Sequence, residues 1–242
     1  MMPTLCGHFA PKRRPVDPKT GIRAAPVRTI VRRQHRGFVC LFHSQKSAIP
    51  IECESLLELD FVRLVEVDHD ITSIIHQPRE ISWTLDGVTH LHIPDFEITY
   101  KRNPVVVEVK PRRRAALPAV LERTKIVTRD LAEKGVLYRI LTETFIRREP
   151  QLSYAKLVLR GLAHDPAPHD RQAVLGILAH DFRGLTTVDI CHQLQKPPFF
   201  VNTILAMVLR GDLCFAECHA SSGIRQAPSA AEAVVRIRRS AP

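Results

Sequence analysis

Five short segments rich in β-branched and aromatic residues crowd the middle of the chain, and they constrain its fold more than any other feature. They cover residues 71–76, 80–85, 88–93, 96–100 and 104–109. Asp86-Gly87 separates two of them and predicts a two-residue hairpin turn. Strands that follow one another so closely must pair in a sheet, so an all-helical fold is excluded.

An amphipathic segment before these strands predicts a helix that covers the sheet. Pro50 precedes residues 51–68, in which Glu54, Glu58 and Phe61 recur at helical spacing on one face. Pro50 favours a helix that begins well before Ser55.

A second helix is predicted after the strands, from Pro118 to about Lys134. Gly135 takes the position just past the end of many helices, and residues 136–141 follow as a short apolar strand. The order helix, strands, helix, strand predicts a compact α/β unit.

The sequence becomes helix-rich beyond the proline-containing segment AHDPAPHD (163–170). Helices are predicted over residues 170–182, 187–195 and 198–210, and a strand is predicted over 212–218. Three helices and a strand, with a tight turn between the second and third helices, predict a winged-helix module. Helix 198–210 offers few polar side chains, so docking to a protein is at least as well supported as docking to DNA.

These patterns divide the chain into four parts. They are a basic N-terminal arm (1–44) that includes a short strand-like stretch at 38–43, an α/β domain (45–148), a linker helix with the winged-helix domain (149–220), and a disordered basic tail (221–242).

The charge of the chain favours a polyanionic partner. The 242 residues carry a net charge of +10, and residues 11–36 alone contribute +8. Arg32 and Arg33 of this arm are expected to contact DNA phosphates, and the alternative is a solubilising tail without a fixed partner. No long apolar run or secretory signal is present, so a membrane partner is not expected. The six cysteines are scattered, which fits reduced thiols, and we expect a cytoplasmic location.

Two acids and a lysine lie at the ends of adjacent predicted strands. Asp95 begins one strand, and Glu108 and Lys110 end the next, two residues apart and therefore on one face. Two carboxylates suit a hard divalent cation, which polarises a phosphoryl oxygen, and a lysine stabilises the negative charge that develops. The pattern points to metal-assisted phosphodiester cleavage. The alternative is a pair of strand-end acids bound to Arg102 or Arg112.

Four strings of this sequence together resemble a known nuclease family. They are ESLLELDFVRLVEVD (54–68), Gln77-Pro78, IPDFEITY (93–100) and VVVEVKP (105–111). The Pro-Asp and Glu-x-Lys pair resembles the PD-(D/E)XK nuclease superfamily, and the full set resembles TnsA, the endonuclease subunit of heteromeric transposons.

The resemblance implies a restriction-endonuclease-like mixed sheet flanked by helices, over residues 45–148, followed by a mostly helical winged-helix domain. It implies Glu58, Asp95, Glu108 and Lys110 as catalytic residues, with Mg²⁺ (or Mn²⁺ in its place) held by Asp95, Glu108 and Glu58. It also implies a metal-dependent endonuclease, a hydrolase that cleaves double-stranded DNA at the 5′ ends of a transposon. The implied partners are a DDE transposase and an AAA+ ATPase regulator, at the bacterial nucleoid.

Several alternatives stay open beside this interpretation. The chain would otherwise be a standalone nuclease in restriction, phage or repair processing, or a non-catalytic DNA-binding assembly module. Ser55-x-x-Glu58 is also a capping box, and Glu54 is then the substitute ligand. Arg112, Arg113 and Arg114 are expected to contact the DNA backbone, and the alternative is a solvated basic edge.

The remaining candidates carry weaker signals. Gln77 is a weak candidate near the active site, by the resemblance alone. His90 and His92 alternate on one predicted strand, but without a third ligand they are expected to be surface residues rather than a metal site. Cys191 and Cys214 are expected to be buried reduced thiols.

Overall fold

The structure is a computed structural model that describes residues 38–85, 88–181, 183–216, 229–230 and 233–238. In chain order, the elements up to residue 146 are β1 (Cys40–Phe42), β2 (Ile51–Cys53), α1 (Leu56–Val67), β3 (Ile71–His76), β4 (Ile81–Leu85), β5 (Val88–His92), β6 (Phe96–Tyr100), β7 (Asn103–Val109), α2 (Arg112–Ala115), α3 (Pro118–Ala132), β8 (Leu137–Leu141) and α4 (Glu143–Ile146). They are followed by α5 (Gln151–Val158), α6 (Pro168–Leu178), β9 (Leu185–Thr186), α7 (Thr187–Gln193), α8 (Val201–Leu209), β10 (Leu213–Phe215) and β11 (Val234–Ile237), with 3₁₀ turns at Leu159–Gly161 and Pro198–Phe200.

A four-stranded mixed sheet in the order β3–β6–β7–β8 forms the centre of the first part. β3 and β7 both pair antiparallel with β6, and β8 pairs parallel with β7. Such a parallel pair needs a long crossover, and α3 supplies it. The predicted mixed α/β architecture is confirmed.

The alternating side chains of β7 divide the core into two layers. Val105, Val107 and Val109 are buried against α1 on one face of the sheet. Val106 faces the opposite way, into a smaller cluster with Val127 of α3. Because side chains two residues apart share a face, Glu108 lies on the α3 side of the sheet.

The start of α1 corrects one prediction. Residues 51–53 form β2, which pairs with β1 and buries Ile51 completely, and α1 begins only after Ser55. The side chain of Ser55 accepts a hydrogen bond from the Glu58 N–H, as an N-cap residue does. The expectation of a helix that begins before Ser55 is therefore wrong, because strand pairing and this cap outweigh the helical spacing.

The short strand predicted at residues 38–43 is present as β1. β1 lies within the predicted arm (1–44) and packs through Cys40 and Phe42 against the main core. The rest of that arm, including Arg32 and Arg33, lies outside the described residues.

The predicted hairpin is present. β4 and β5 pair antiparallel from Ile81↔His92 to Leu85↔Val88, and this register leaves two residues for the turn. Those two residues, 86 and 87, lie outside the described part of the chain.

Helices α5 to α8 and a three-stranded antiparallel sheet, in the order β10–β11–β9, form the second part. β11 lies within the predicted disordered tail (221–242), so that prediction is wrong for residues 234–237. Val235 is fully buried, and Ile237 pairs with Leu213 of β10. The winged-helix assignment stays a prediction. No helix in the described ranges is both long and apolar enough to cross a membrane.

Candidate active site

Asp95 is held in place by backbone groups of two strands. Its Oδ2 accepts the Val109 N–H at 2.7 Å, and its carbonyl accepts the Gln77 N–H, also at 2.7 Å. Burial, followed by the negative charge of Glu108, raises the pKa of Asp95 above its ordinary value, and the bond from Val109 offsets this only in part. The fold therefore places the two carboxylates close enough for Glu108 to oppose the ionisation of Asp95.

Glu108 is a buried carboxylate contacted by three basic side chains, which come from β5, from the end of β7 and from α3. Its Oε1 accepts bonds from Lys110 Nζ at 2.5 Å and Arg123 Nη2 at 3.1 Å. Its Oε2 lies 2.7 Å from His92 Nε2. Burial alone would raise the pKa of Glu108, but the hydrogen bond and charge of His92, together with Lys110, lower it below its ordinary value. The ionised form of Glu108 is therefore favoured.

Lys110 lies on the same face as Glu108, as side-chain alternation predicts. Its backbone N–H donates to the Leu141 carbonyl at 3.0 Å, which extends the β7–β8 pairing past Val109. This extension fixes the lysine beside Glu108 at the end of the strand.

Glu58 forms the capping box that was the alternative to a catalytic role. Its carboxylate accepts the Glu54 N–H at 2.7 Å and the Ser55 hydroxyl at 2.8 Å. Burial raises the pKa of Glu58 above its ordinary value, and the negative charges of Glu54 and Glu108 add to the effect. The charge of Glu108 therefore affects the pKa of Glu58, while the hydrogen bonds of the Glu58 carboxylate stabilise the start of α1.

Gln77 joins the start of α1 to the loop of Asp95. Besides its backbone bond to Asp95, its side-chain Nε2 donates to Glu54 Oε1 at 3.4 Å. Gln77 is buried and has a φ of +46°, in the left-handed region that few residues other than glycine adopt. Strained backbone of this kind is often found at functional sites.

The predicted DNA-binding arginines lie next to the site but not in it. Arg112, Arg113 and Arg114 form the short helix α2 just after Lys110, and all three are exposed. The Arg112 N–H donates to the Glu143 carboxylate at 2.8 Å, which anchors α2 to α4.

Two residues of the site are ones that sequence reasoning missed. His92 was expected at the surface, and that expectation is wrong, because its side chain is largely buried against Glu108. Its alternation with His90 was a usable signal, since Asp95 follows only three residues later. Arg123 has no local signal. Only the return of α3 across the sheet brings it to Glu108.

The chemistry of the site fits a hard divalent cation held by few protein ligands. Among the described residues, no group of three or more His, Cys, Asp or Glu side chains is arranged to hold a metal ion. Asp95 and Glu108 remain as an oxygen pair, and Mg²⁺ is commonly held by one or two carboxylates together with substrate phosphates. Burial and the charge of Glu108 raise the pKa of Asp95, and a cation bound between the two carboxylates would favour its ionised form.

The comparison with protein families falls on the segment that contains these residues. Residues 68–143 match the family model described as TnsA-like endonuclease N terminal. The match supports a TnsA-like nuclease domain, and the matched segment holds Asp95, Glu108, Lys110, His92 and Arg123. Glu54 and Glu58 lie before it. A search of curated proteins found no match to the chain.

Proposed function

We propose that this chain is a metal-dependent DNA endonuclease of the TnsA type. The observation that carries the proposal is the meeting of Asp95, Glu108 and Lys110 at the ends of β6 and β7, inside the segment that matches the TnsA-like family model. Asp95 and Glu108 would hold Mg²⁺, with Mn²⁺ as an alternative, and Glu58 or Glu54 would assist from the start of α1.

Each residue of the site would have a distinct role in phosphodiester cleavage. When bound, the cation would polarise the scissile phosphate and acidify the attacking water. The Val109 N–H orients Asp95, and the cationic neighbours of Glu108 keep it ionised and ready to bind a metal. Lys110 Nζ would stabilise the negative charge that develops on the phosphate.

The wider setting follows from the same resemblance. The chain would cut the 5′ ends of a transposon in double-stranded DNA, beside a DDE transposase that acts on the 3′ ends and an AAA+ ATPase that regulates both. The exposed arginines of α2 would contact the DNA backbone next to the site. The helices and small sheet of the second part support a winged-helix module for docking to DNA or to a protein partner.

Calorimetric titration with Mg²⁺ and Mn²⁺ tests the proposal without a known DNA site. The wild type should bind one ion, and Asp95→Asn and Glu108→Gln should each abolish binding. Glu122→Gln, which neutralises an exposed acid on α3, is the matched control and should bind as the wild type does. Duplex cleavage should then depend on the same two carboxylates. Wild-type protein that binds no ion, or binding that survives both substitutions, would refute the assignment.

A further inference from the structure

Glu108 has three basic side chains against its two carboxylate oxygens. Lys110 and Arg123 share Oε1, while His92 alone lies against Oε2. The proposed function requires Glu108 to offer an oxygen to a divalent cation. A divalent cation bound there would compete with these three partners for the carboxylate.

Arg123 is the partner best placed to leave. Its contact of 3.1 Å is the longest of the three, and it comes from α3, whereas Lys110 lies on the same strand as Glu108. The Arg123 side chain is 18% exposed, so it is not sealed inside the core. A guanidinium carries a rigid fork of donors that can bind two phosphate oxygens at once. Arg123 is therefore well suited to bind a DNA phosphate once it leaves Glu108.

We propose that Arg123 exchanges its bond to Glu108 for a bond to a DNA phosphate when a divalent cation occupies the site. The exchange balances charge, because the cation replaces the guanidinium at Glu108 and the guanidinium meets the phosphate. Arg123 is then a catalytic residue of the nuclease, and the inference rests on the proposed function. It makes the metal a prerequisite for one particular DNA contact.

Metal binding provides the first test. Arg123→Gln removes a competing positive charge, so Mn²⁺ should bind more tightly, by about fivefold. Arg123→Lys keeps the charge and should bind Mn²⁺ as the wild type does. Arg129→Gln is the matched control, because Arg129 lies on the same helix, is 73% exposed and contacts Asp130 instead. Unchanged or weaker Mn²⁺ binding by Arg123→Gln would refute the exchange.

DNA binding provides the second test and has a signature that a merely structural arginine would lack. Affinity for a duplex is measured against salt concentration, with Ca²⁺ and with EDTA. In Ca²⁺, Arg123→Gln should lower the slope of log K against log salt by about one, the effect of one lost phosphate contact. In EDTA, the variant and the wild type should have equal slopes.

The outcomes separate the two proposals. An equal loss of slope in both buffers, or no loss in either, would refute the exchange while leaving the nuclease assignment intact. Wild-type protein that binds no Mn²⁺ would overturn the nuclease assignment and the exchange together.

Discussion

Asp95→Asn should make the metal-free protein more stable at neutral pH. The folded-state pKa of Asp95 is raised above its unfolded value, chiefly by burial and by the charge of Glu108. The native state therefore holds the proton more tightly than the unfolded chain does. Wild-type stability is unaffected below the unfolded pKa and falls as the pH rises from there toward the folded pKa. Asparagine keeps an oxygen for the Val109 N–H but carries no charge, so the variant should lack this fall.

The size of the effect follows from the linkage between proton binding and folding. Each tenfold change in proton affinity corresponds to about 1.4 kcal/mol. The protein and nearby water relax around the ionised carboxylate and reduce this energy, so we expect Asp95→Asn to raise the free energy of unfolding by about 1–3 kcal/mol at pH 8, and by little at pH 4. That is a large fraction of the stability of a typical domain.

Urea denaturation in EDTA at a series of pH values measures this directly. Glu108→Gln is the matched comparison, because the pKa of Glu108 is lowered and its ionised form is favoured in the native state. Its removal should destabilise the protein above the unfolded pKa of Glu108. Added Mn²⁺ should stabilise the wild type and leave Asp95→Asn unchanged. If both substitutions shift stability in the same direction at pH 8, the electrostatic argument is wrong.

Three further predictions concern packing and capping, and chemical denaturation measures all of them. Gly161→Ala should cost about 1–3 kcal/mol, because a Cβ there would lie 2.3 Å from the Ala206 backbone nitrogen. A Cβ at Gly176 would meet nothing within 4 Å, so Gly176→Ala should instead stabilise α6 by about 0.5–1 kcal/mol. Equal effects at the two glycines would contradict the close approach of Gly161 to α8. Ser55→Ala should lower the free energy of unfolding by about 1 kcal/mol, because it removes the α1 cap. Ser55→Thr keeps a hydroxyl at the cap and should lose much less stability. An alanine variant as stable as the wild type would show that the cap contributes nothing. Val235→Ala should cost about 1–2 kcal/mol, Arg236→Ala on the same strand should change little, and the reverse order would refute the placement of β11.

The parts of the fold that sequence reasoning found are those with strong local patterns. Short segments rich in β-branched and aromatic residues located β6 and β7, and Asp86-Gly87 located the β4–β5 hairpin. At residues 51–53 the same reasoning failed, because a strand of three residues is too short to show a period. These residues also adjoin the helical pattern that begins at Glu54, so they were assigned to the helix. β11 was missed for a related reason, since its four residues lie among alanines, serines and arginines.

The site divides along similar lines. Asp95, Glu108 and Lys110 were recognisable because neighbouring strand ends bring them together over a short stretch of chain. Arg123 was not, because its contact with Glu108 depends on where α3 crosses the sheet, and neither its neighbours nor its spacing encodes that position. The capping box at Ser55 and Glu58 was recognised but given too little weight against Pro50.

The direct pairing of β3 with β6 leaves the β4–β5 hairpin outside the central sheet. β3 and β6 are neighbours in the sheet although β4 and β5 lie between them in the chain, and the Gln77–Asp95 backbone bond closes the base of this excursion. Insertions at the turn, residues 86–87, should therefore leave the register of the central sheet intact. A shift of one residue at the base would instead carry His92 away from Glu108. The turn of the hairpin is thus free to change in length and sequence during evolution, whereas its base is constrained because it positions His92 beside Glu108.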